Sequence, residues 1–252
     1  MKLSIITINR NNADGLKQTL VSVAEQICKD FEHIVIDGAS TDNSVYIIKD
    51  FSHIAYYVSE PDNGIYDAMN KGIAMTTGDI VGIVNSDDFY VDEKIIEKTM
   101  YCFQEKNVDA VYGDLLYVNA EKTDKIQRYW KPGHYKKNAF LWGWMPPHPT
   151  FFVKNEVYKK YGNYNTNFRS AADYEFMLRV IHKEQIKLIY LPEILVKMRT
   201  GGKSNKNIIN RVRGNNEDRE AWRVNGLLPY FFTQYLKPAR KIFQYIQRPK
   251  SQ

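Results

Sequence analysis

Two hydrophobic rhythms alternate along the first 110 residues. Residues 2 to 8 are rich in isoleucine and stop at Asn9-Arg10-Asn11-Asn12, after which Leu16, Leu20, Val23 and Ile27 recur at helical spacing. Residues 31 to 37 predict a second strand ending on Asp37, followed by a helix carrying Val45, Ile48 and Phe51, for which Ser40 or Thr41 can supply the cap. A third strand over Ile54 to Val58 leads through the Pro, Asn and Gly of residues 61 to 64 into a helix over Ile65 to Met75. The run Ile80-Val81-Gly82-Ile83-Val84 has no polar face, so it reads as a strand buried on both sides, and it ends on Asn85-Ser86-Asp87-Asp88. This strand-helix rhythm predicts βαβ crossovers and a parallel sheet. Four strands then deliver polar ends to one rim, where open α/β sheets bind ligands: Thr7 with Asn9, Asp37, Glu60 with Asp62, and Asp87 with Asp88.

The second half is less regular. A helix through Ile95 and Phe103 precedes a strand at 110 to 114, and residues 115 to 130 suggest a hairpin around a charged turn. Residues 134 to 152 are rich in aromatics and proline, with Trp142, Trp144 and a Pro147-His148-Pro149 triplet. A helix over 171 to 183 opens with Asp173 and Glu175 in its first turn, a strand-like stretch spans Ile186 to Leu191, and Thr200 to Asn205 reads as a mobile basic loop.

At 252 residues, 44% hydrophobic and 25% charged, the chain suits one large soluble domain, or one domain with an appendage. No apolar run is long enough to span a bilayer, and the N-terminus is too short in apolar residues for a signal peptide. Cys28 and Cys102 fall in helical patterns and form neither a disulfide framework nor a metal spacing, which fits a reducing cytoplasm. The net charge of +6 belongs to the tail: residues 197 to 252 hold 13 Lys/Arg against 3 Asp/Glu, leaving the remainder net acidic. Such a tail suits nucleic acid, an anionic membrane or a phosphorylated substrate.

Hard oxygen donors grouped at Asp87 and Asp88 suit Mg²⁺ or Mn²⁺, although a polar strand end followed by a turn has the same composition. The residues around them resemble the inverting family-2 glycosyltransferases of the GT-A fold, in the branch that builds bacterial surface polysaccharides. Ser4 to Asn11 is similar to that family's first strand and loop, and Val35-Ile36-Asp37-Gly38-Ala39-Ser40-Thr41-Asp42 resembles its D-G-S-T-D segment. Ser59 to Gly72 is similar to its E-x-D-x-G-x-x-x-A-x-N-x-G helix, and Asn85-Ser86-Asp87-Asp88 falls on its D-x-D metal motif, with Asn in place of the first Asp. The resemblance covers residues 2 to about 200.

What the resemblance implies is specific. The fold would be a Rossmann-like, mostly parallel sheet with helices on both faces and a C-terminal helical tail. Residues 1–205 would form the GT-A domain, with a nucleotide-sugar half (1–113) and an acceptor half (114–205), and 206–252 a basic aromatic extension. Thr7, Asn9, Asp37, Asp62 and Asn85 would line the nucleotide pocket, and Asp87 with Asp88 would hold Mn²⁺ or Mg²⁺ at the diphosphate. Asp173, in Ala172-Asp173-Tyr174-Glu175, would be the general base, although an acid there also suits a helix N-terminus without any catalytic role. His148 could touch diphosphate or metal, Trp142 and Trp144 could stack on acceptor sugars, and Arg199 and Lys203 could close over the leaving group. The donor would be a nucleotide-sugar, UDP-linked, and the acceptor a saccharide or a polyprenyl-diphosphate-linked chain. The aromatic, basic tail could lie on an anionic membrane surface, or pack as an ordinary helix that Pro238 interrupts.

Two other classes are weaker. A sugar-nucleotide pyrophosphorylase would need a glycine-rich phosphate loop after the first strand, where only Gly15 occurs, and no G-x-G-x-x-G supports a dinucleotide enzyme. A nucleic-acid-binding role for the tail conflicts with the acidic rim, which would repel phosphates. No nucleic-acid partner is expected.

Overall fold

In the computed structural model, residues 1–200, 208–246 and 249 are described. Strands β1 (Leu3–Asn9), β2 (Phe31–Asp37), β3 (Ile54–Ser59) and β4 (Ile80–Asn85) pair in parallel in the order β3-β2-β1-β4. Helices α1 (Ala13–Ala24), α2 (Ser44–Lys49) and α3 (Ile65–Ala74) connect them. Alternate residues of the strands face opposite layers, as the period of two requires. Ile6, Ile8, Ile34 and Ile36 pack with Tyr66, Met69 and Ile73 of α3. On the other face Val35 packs with Leu16 and Leu20 of α1 and Ile48 of α2. The rhythm predicted from the sequence is thus the observed one.

The sheet continues past β4 in a way the apolar pattern does not reveal. β8 (Phe152–Lys154) inserts antiparallel between β4 and β6 (Ala110–Val118), making a nine-stranded sheet ordered β3-β2-β1-β4-β8-β6-β9-β5. β9 (Leu188–Arg199) runs parallel to β6 and antiparallel to β5 (Asp88–Tyr90), and the expected hairpin appears as β7 (Ile126–Trp130) on β6. Gly82 admits the β8 strand closely: a Cβ there would lie 2.6 Å from the Phe152 ring.

Helices α4 (Ile95–Lys106), α5 (Asn155–Tyr161) and α6 (Ala172–Met177) follow, α6 continuing into a π-helical turn over Leu178–Lys183. The tail forms α7 (Ile208–Val224) and α8 (Thr233–Ile246). Pro238 lies inside α8 instead of breaking it. The other departures are local. Asn43, not Ser40 or Thr41, precedes α2, because the Ser40 hydroxyl is taken by Asp37. Cys28 lies beyond the end of α1, and both cysteines are free.

One buried acid ties β1, β2 and the turn before β4. The Glu32 carboxylate accepts hydrogen bonds from Lys2 Nζ (2.7 Å), Ser4 Oγ (2.5 Å), Thr77 N (2.6 Å) and Thr77 Oγ1 (2.6 Å). Burial pulls its pKa upward, but those donors outweigh it and hold the group down from 4.5 to about 2. A pKa lower in the folded than in the unfolded chain gives stability that is complete above the unfolded value and is lost as pH falls through the folded one. Glu32→Gln is therefore expected to lower the urea midpoint at neutral pH, by up to about 3 kcal/mol in stability. The gap should close between pH 4.5 and about 2. A gap that stays constant across that window would refute the clamp's charge dependence.

Candidate active site

Strand register levels the polar ends on one rim: Asn9 pairs with Asp37, Asp37 with Ser59, and Ile8 with Asn85. Asp37 is fully buried, and both its oxygens are occupied. Oδ1 accepts from Asn9 Nδ2 (2.7 Å) and Ser40 Oγ (2.5 Å), Oδ2 from Ser40 N (2.9 Å) and Ser59 Oγ (2.6 Å). A carboxylate offers about four lone-pair positions, so Asp37 works by holding the rim together. Asn9 Oδ1 is buried and has no partner among the described residues. The loops beside it are wound tightly, with Asn11 at φ +50° and Ala39 at φ +53°, a conformation that non-glycine residues hold at a cost. Asp62 pairs with Arg10 at 3.6 Å and accepts from Gly64 N at 2.9 Å. Thr7 is fully buried one pleat below, bonded to His33 Nε2 at 2.8 Å.

Between β4 and β5 the chain turns sharply through Ser86 and Asp87. Asn12 Nδ2 donates to Ser86 O, and α1 approaches so closely that a Cβ on Gly15 would stand 2.5 Å from Asp87 Oδ1. The adjacent carboxylates take different environments. Asp87 is partly exposed, and its side chain makes no hydrogen bond or ion pair among the described residues. Asp88 is fully buried, and burial pushes its carboxyl up to about 7, with repulsion from Asp87 adding and a 3.3 Å hydrogen bond from Asn85 Nδ2 opposing. Asn85 Oδ1 and Asp88 Oδ1 are buried without partners among the described residues.

Among the described residues no group of three or more His, Cys, Asp or Glu converges in metal-binding geometry. The unpartnered oxygens and the free Asp87 carboxylate nevertheless form a hard donor set. They fit a Mg²⁺ or Mn²⁺ ion that takes its other ligands from a diphosphate and water. Arg199 adjoins this turn: its backbone N donates to Asp87 O at 3.3 Å, its guanidinium donates to Gln18, and its Nε is unpartnered.

A row of paired positions leads from this turn across the sheet to β7. Asp88 on β5 faces Met198 on β9, Met198 faces Tyr117 on β6, and Tyr117 faces Arg128 on β7. Directly opposed residues project from the same sheet face. Burial raises the pKa of the Tyr117 hydroxyl, Arg128 lowers it, and Asp88 and Asp173 both raise it; Tyr117 and Asp173 line the same cleft.

Asp173 is partly buried at the head of α6 and accepts a hydrogen bond from Tyr66 Oη at 3.0 Å. α7 fixes this helix. The Glu217 carboxylate accepts from the backbone N of Arg169, Ser170 and Ala171 (3.2, 2.8 and 3.0 Å), Trp222 Nε1 donates to Tyr174 Oη (2.9 Å), and Asn225 Nδ2 to Glu175 Oε1 (2.9 Å). Glu175 is held from its other side by Arg179 at 2.9 Å. His148 is near enough to feel the Asp173 charge, but burial outweighs it and lowers the imidazole pKa, keeping the ring neutral, and its Nε2 is unpartnered.

Asp173 opens into a cleft of about 630 Å³ that Arg128, Asp218, Lys237 and Lys241 also line. The other aromatic and basic candidates disperse. Trp144 is buried, with Nε1 donating to Pro132 O at 2.9 Å, so it packs the core instead of offering a stacking face. Trp142 is exposed and lies against Tyr230 and Phe232 of the tail. Lys203 falls outside the described residues. Sequence reasoning missed Glu217, Trp222, Asn225 and Arg128. The signal for the first was the appearance of Glu217 and Asp218 in an otherwise basic tail.

Comparison with known proteins gives the same answer from another direction. The model of the family "Glycosyl transferase family 2" matches residues 4–164. A Mycobacterium tuberculosis protein described as an uncharacterized glycosyltransferase is 35% identical over 181 residues, covering 70% of this chain and 68% of that protein. A Mycobacterium bovis "PGL/p-HBAD biosynthesis glycosyltransferase" is 26% identical over 208 residues, 80% of this chain and 78% of its own. Among solved structures, S. aureus TarS 1-349 in complex with UDP-GlcNAc superposes with TM-score 0.69 at 17% identity, over 89% of this chain but only 65% of that one. The mannosyltransferase PcManGT of Pyrobaculum calidifontis, in complex with GDP-Man and Mn²⁺, gives TM-score 0.65 at 16% identity over 99% and 76%. The structures share the fold, the sequence relatives share the name, and the chain belongs to glycosyltransferase family 2, a glycosyltransferase with the GT-A fold.

Proposed function

We propose that the protein is a metal-dependent, inverting glycosyltransferase that moves a sugar from a UDP-linked donor to a hydroxyl of a saccharide or lipid-linked acceptor during cell-envelope polysaccharide synthesis. The observation that carries this reading is the position of Asp173. It is a partly buried carboxylate, oriented by Tyr66 and facing a cleft that Tyr117 also lines. The TarS complex with UDP-GlcNAc supports the donor class, and the Mn²⁺ complex of PcManGT supports divalent-metal use.

In this reading Asn9, Asp37 and Asp62 form the nucleotide end, with Thr7 bracing it from below and the unpartnered Asn9 Oδ1 free to accept from a base N–H. Asp87, helped by Asp88 and Asn85, would hold Mg²⁺ or Mn²⁺. Such an ion neutralises the charge that develops on the leaving diphosphate, which lowers the barrier more than it stabilises the bound donor. Arg199 adds a fixed positive charge beside the same turn. Asp173 accepts the proton of the attacking acceptor hydroxyl on the face opposite the diphosphate, which inverts the anomeric centre. Neutral His148 adds no charge that would compete for Asp173. No helix among the described residues is long and apolar enough to cross a membrane. The exposed Leu228, Phe231, Tyr235 and Ile242 beside Arg240 support peripheral contact with an anionic membrane on the cytoplasmic side.

A thermal-shift screen of UDP- and GDP-sugars, with and without Mn²⁺, tests the reading. A metal-dependent rise in Tm with a UDP-sugar is expected. A response confined to GDP-mannose would replace the donor assignment, and none with any nucleotide-sugar would overturn it.

A further inference from the structure

Arg128 is nearly buried at 9% exposure, and among the described residues no carboxylate lies within ion-pair distance of it. Its guanidinium stacks 3.6 Å over the Tyr117 ring, and its buried Nε has no hydrogen-bond partner. Burying a charge without a counter-ion costs several kcal/mol, and here the Tyr117, Trp130 and Tyr245 rings, at 3.6, 5.9 and 5.8 Å, offset part of that cost while leaving the cation without an anion. Arg128 is not alone. A second compartment of about 330 Å³ adjoins the 630 Å³ cleft, the two sharing Trp130, Met145, Lys237 and Lys241 in their walls. Together they are lined by five cations, Arg128, Lys131, Lys237, Arg240 and Lys241, against two carboxylates, Asp173 and Asp218. Asp218 already holds Lys237 at 2.8 Å. Lys241 is exposed overall but lines both compartments, and desolvation first, and then Lys237 and Arg128, bring its pKa down to about 8. Gln244 Oε1 at the same wall is also unpartnered.

These cations are not the donor's diphosphate site. Asp37, Asp87 and Arg199 line neither compartment. Arg128 ends the paired row three strands from Asp88, roughly 14 Å away at the usual strand spacing. Asp173, read here as the acceptor-side base, lines the larger compartment together with Arg128 and Lys241.

We propose that this groove, built from β7 and the C-terminal helix α8, is a phosphate subsite for the acceptor. In it Arg128 and Lys241 receive a phosphate or diphosphate group carried by the molecule that is glycosylated. The subsite rests on the reading of Asp173 as the acceptor-side base. It makes the basic tail part of substrate recognition, and it selects anionic acceptors over neutral sugars.

Inorganic pyrophosphate in metal-free buffer is the probe, titrated calorimetrically into the full chain with and without saturating UDP. Binding that persists beside UDP is expected, with Kd raised about tenfold or more by Arg128→Gln and by Lys241→Met, and unchanged by Asp37→Asn. Absence of binding, binding indifferent to both substitutions, or displacement of pyrophosphate by UDP would each overturn the proposal, the last by giving the site to the donor. Lys241 is exposed, so Lys241→Met and the wild-type competition decide the question even if Arg128→Gln unfolds. If no nucleotide-sugar supports transfer while pyrophosphate still binds through Arg128 and Lys241, the transferase reading falls and the anion site remains.

Discussion

Asp173→Asn is expected to lower kcat for sugar transfer by about 10²–10⁴-fold, the range of general-base assistance, while leaving the affinities for donor and metal unchanged. The substitution is nearly silent in shape. An asparagine oxygen still accepts from Tyr66 Oη, and α6 keeps its support from Glu217, Trp222 and Asn225. What is lost is a lone pair basic enough to take the acceptor's proton as the new bond forms. The contrast with a purely structural role is sharp: Asp173 lies in the first turn of α6, after the Ala171 cap position, so an acid that only complemented the helix dipole would lose about 0.3–1 kcal/mol of stability on becoming Asn and leave turnover intact. Single-turnover kinetics with UDP-affinity measurements on the same preparation separate the cases, and near-wild-type turnover would sink the base assignment.

The parts of this site that could be read in the sequence are those whose environment is local. β1, β2 and β4 are buried on both faces, so they appear as apolar runs, and their polar ends stand out by contrast. That is why Asp37, Asp87 and Asp88 could be assigned to one rim. What each carboxylate does there depends on partners far along the chain. Asp37 is saturated by the last residues of β1 and β3 and by Ser40 of the loop after β2, and Asp88 is buried because β5 pairs with β9, more than a hundred residues later. β8 has three residues, too few for a periodicity, and its place in the sheet is set by the contacts of Val153 and Phe152 with β4 and β6. The tail misleads for the same reason. Its composition reads as an appendage, yet Glu217 caps the loop before α6 and Lys237 lies 3.8 Å over the Tyr174 ring, so the segment counted as an extension holds α6 in place.

Asp87→Ala is expected to abolish the metal-dependent part of donor binding and to lower kcat/KM by about 10³-fold, since a metal ion at a leaving diphosphate supplies several kcal/mol. The fold should survive. The Asp87 side chain has no hydrogen bond or ion pair among the described residues, so its removal leaves no buried partner unsatisfied. Asp88→Ala is a different experiment, because it opens a fully buried position and releases Asn85 Nδ2, so that lost activity would be mixed with lost stability. The informative comparison is Asp87→Ala against the wild type stripped by EDTA. If Asp87 is the direct ligand, both should bind a UDP-sugar equally weakly, and added Mn²⁺ should restore only the wild type. Asn85 sharpens the test: with an amide where the family motif has its first carboxylate, the turn carries one negative charge less, and Asp87 bears more of the attraction for the ion. A variant that still responds to Mn²⁺ would place the metal on Asp88 and Asn85, whose unpartnered oxygens are the remaining donors at this turn.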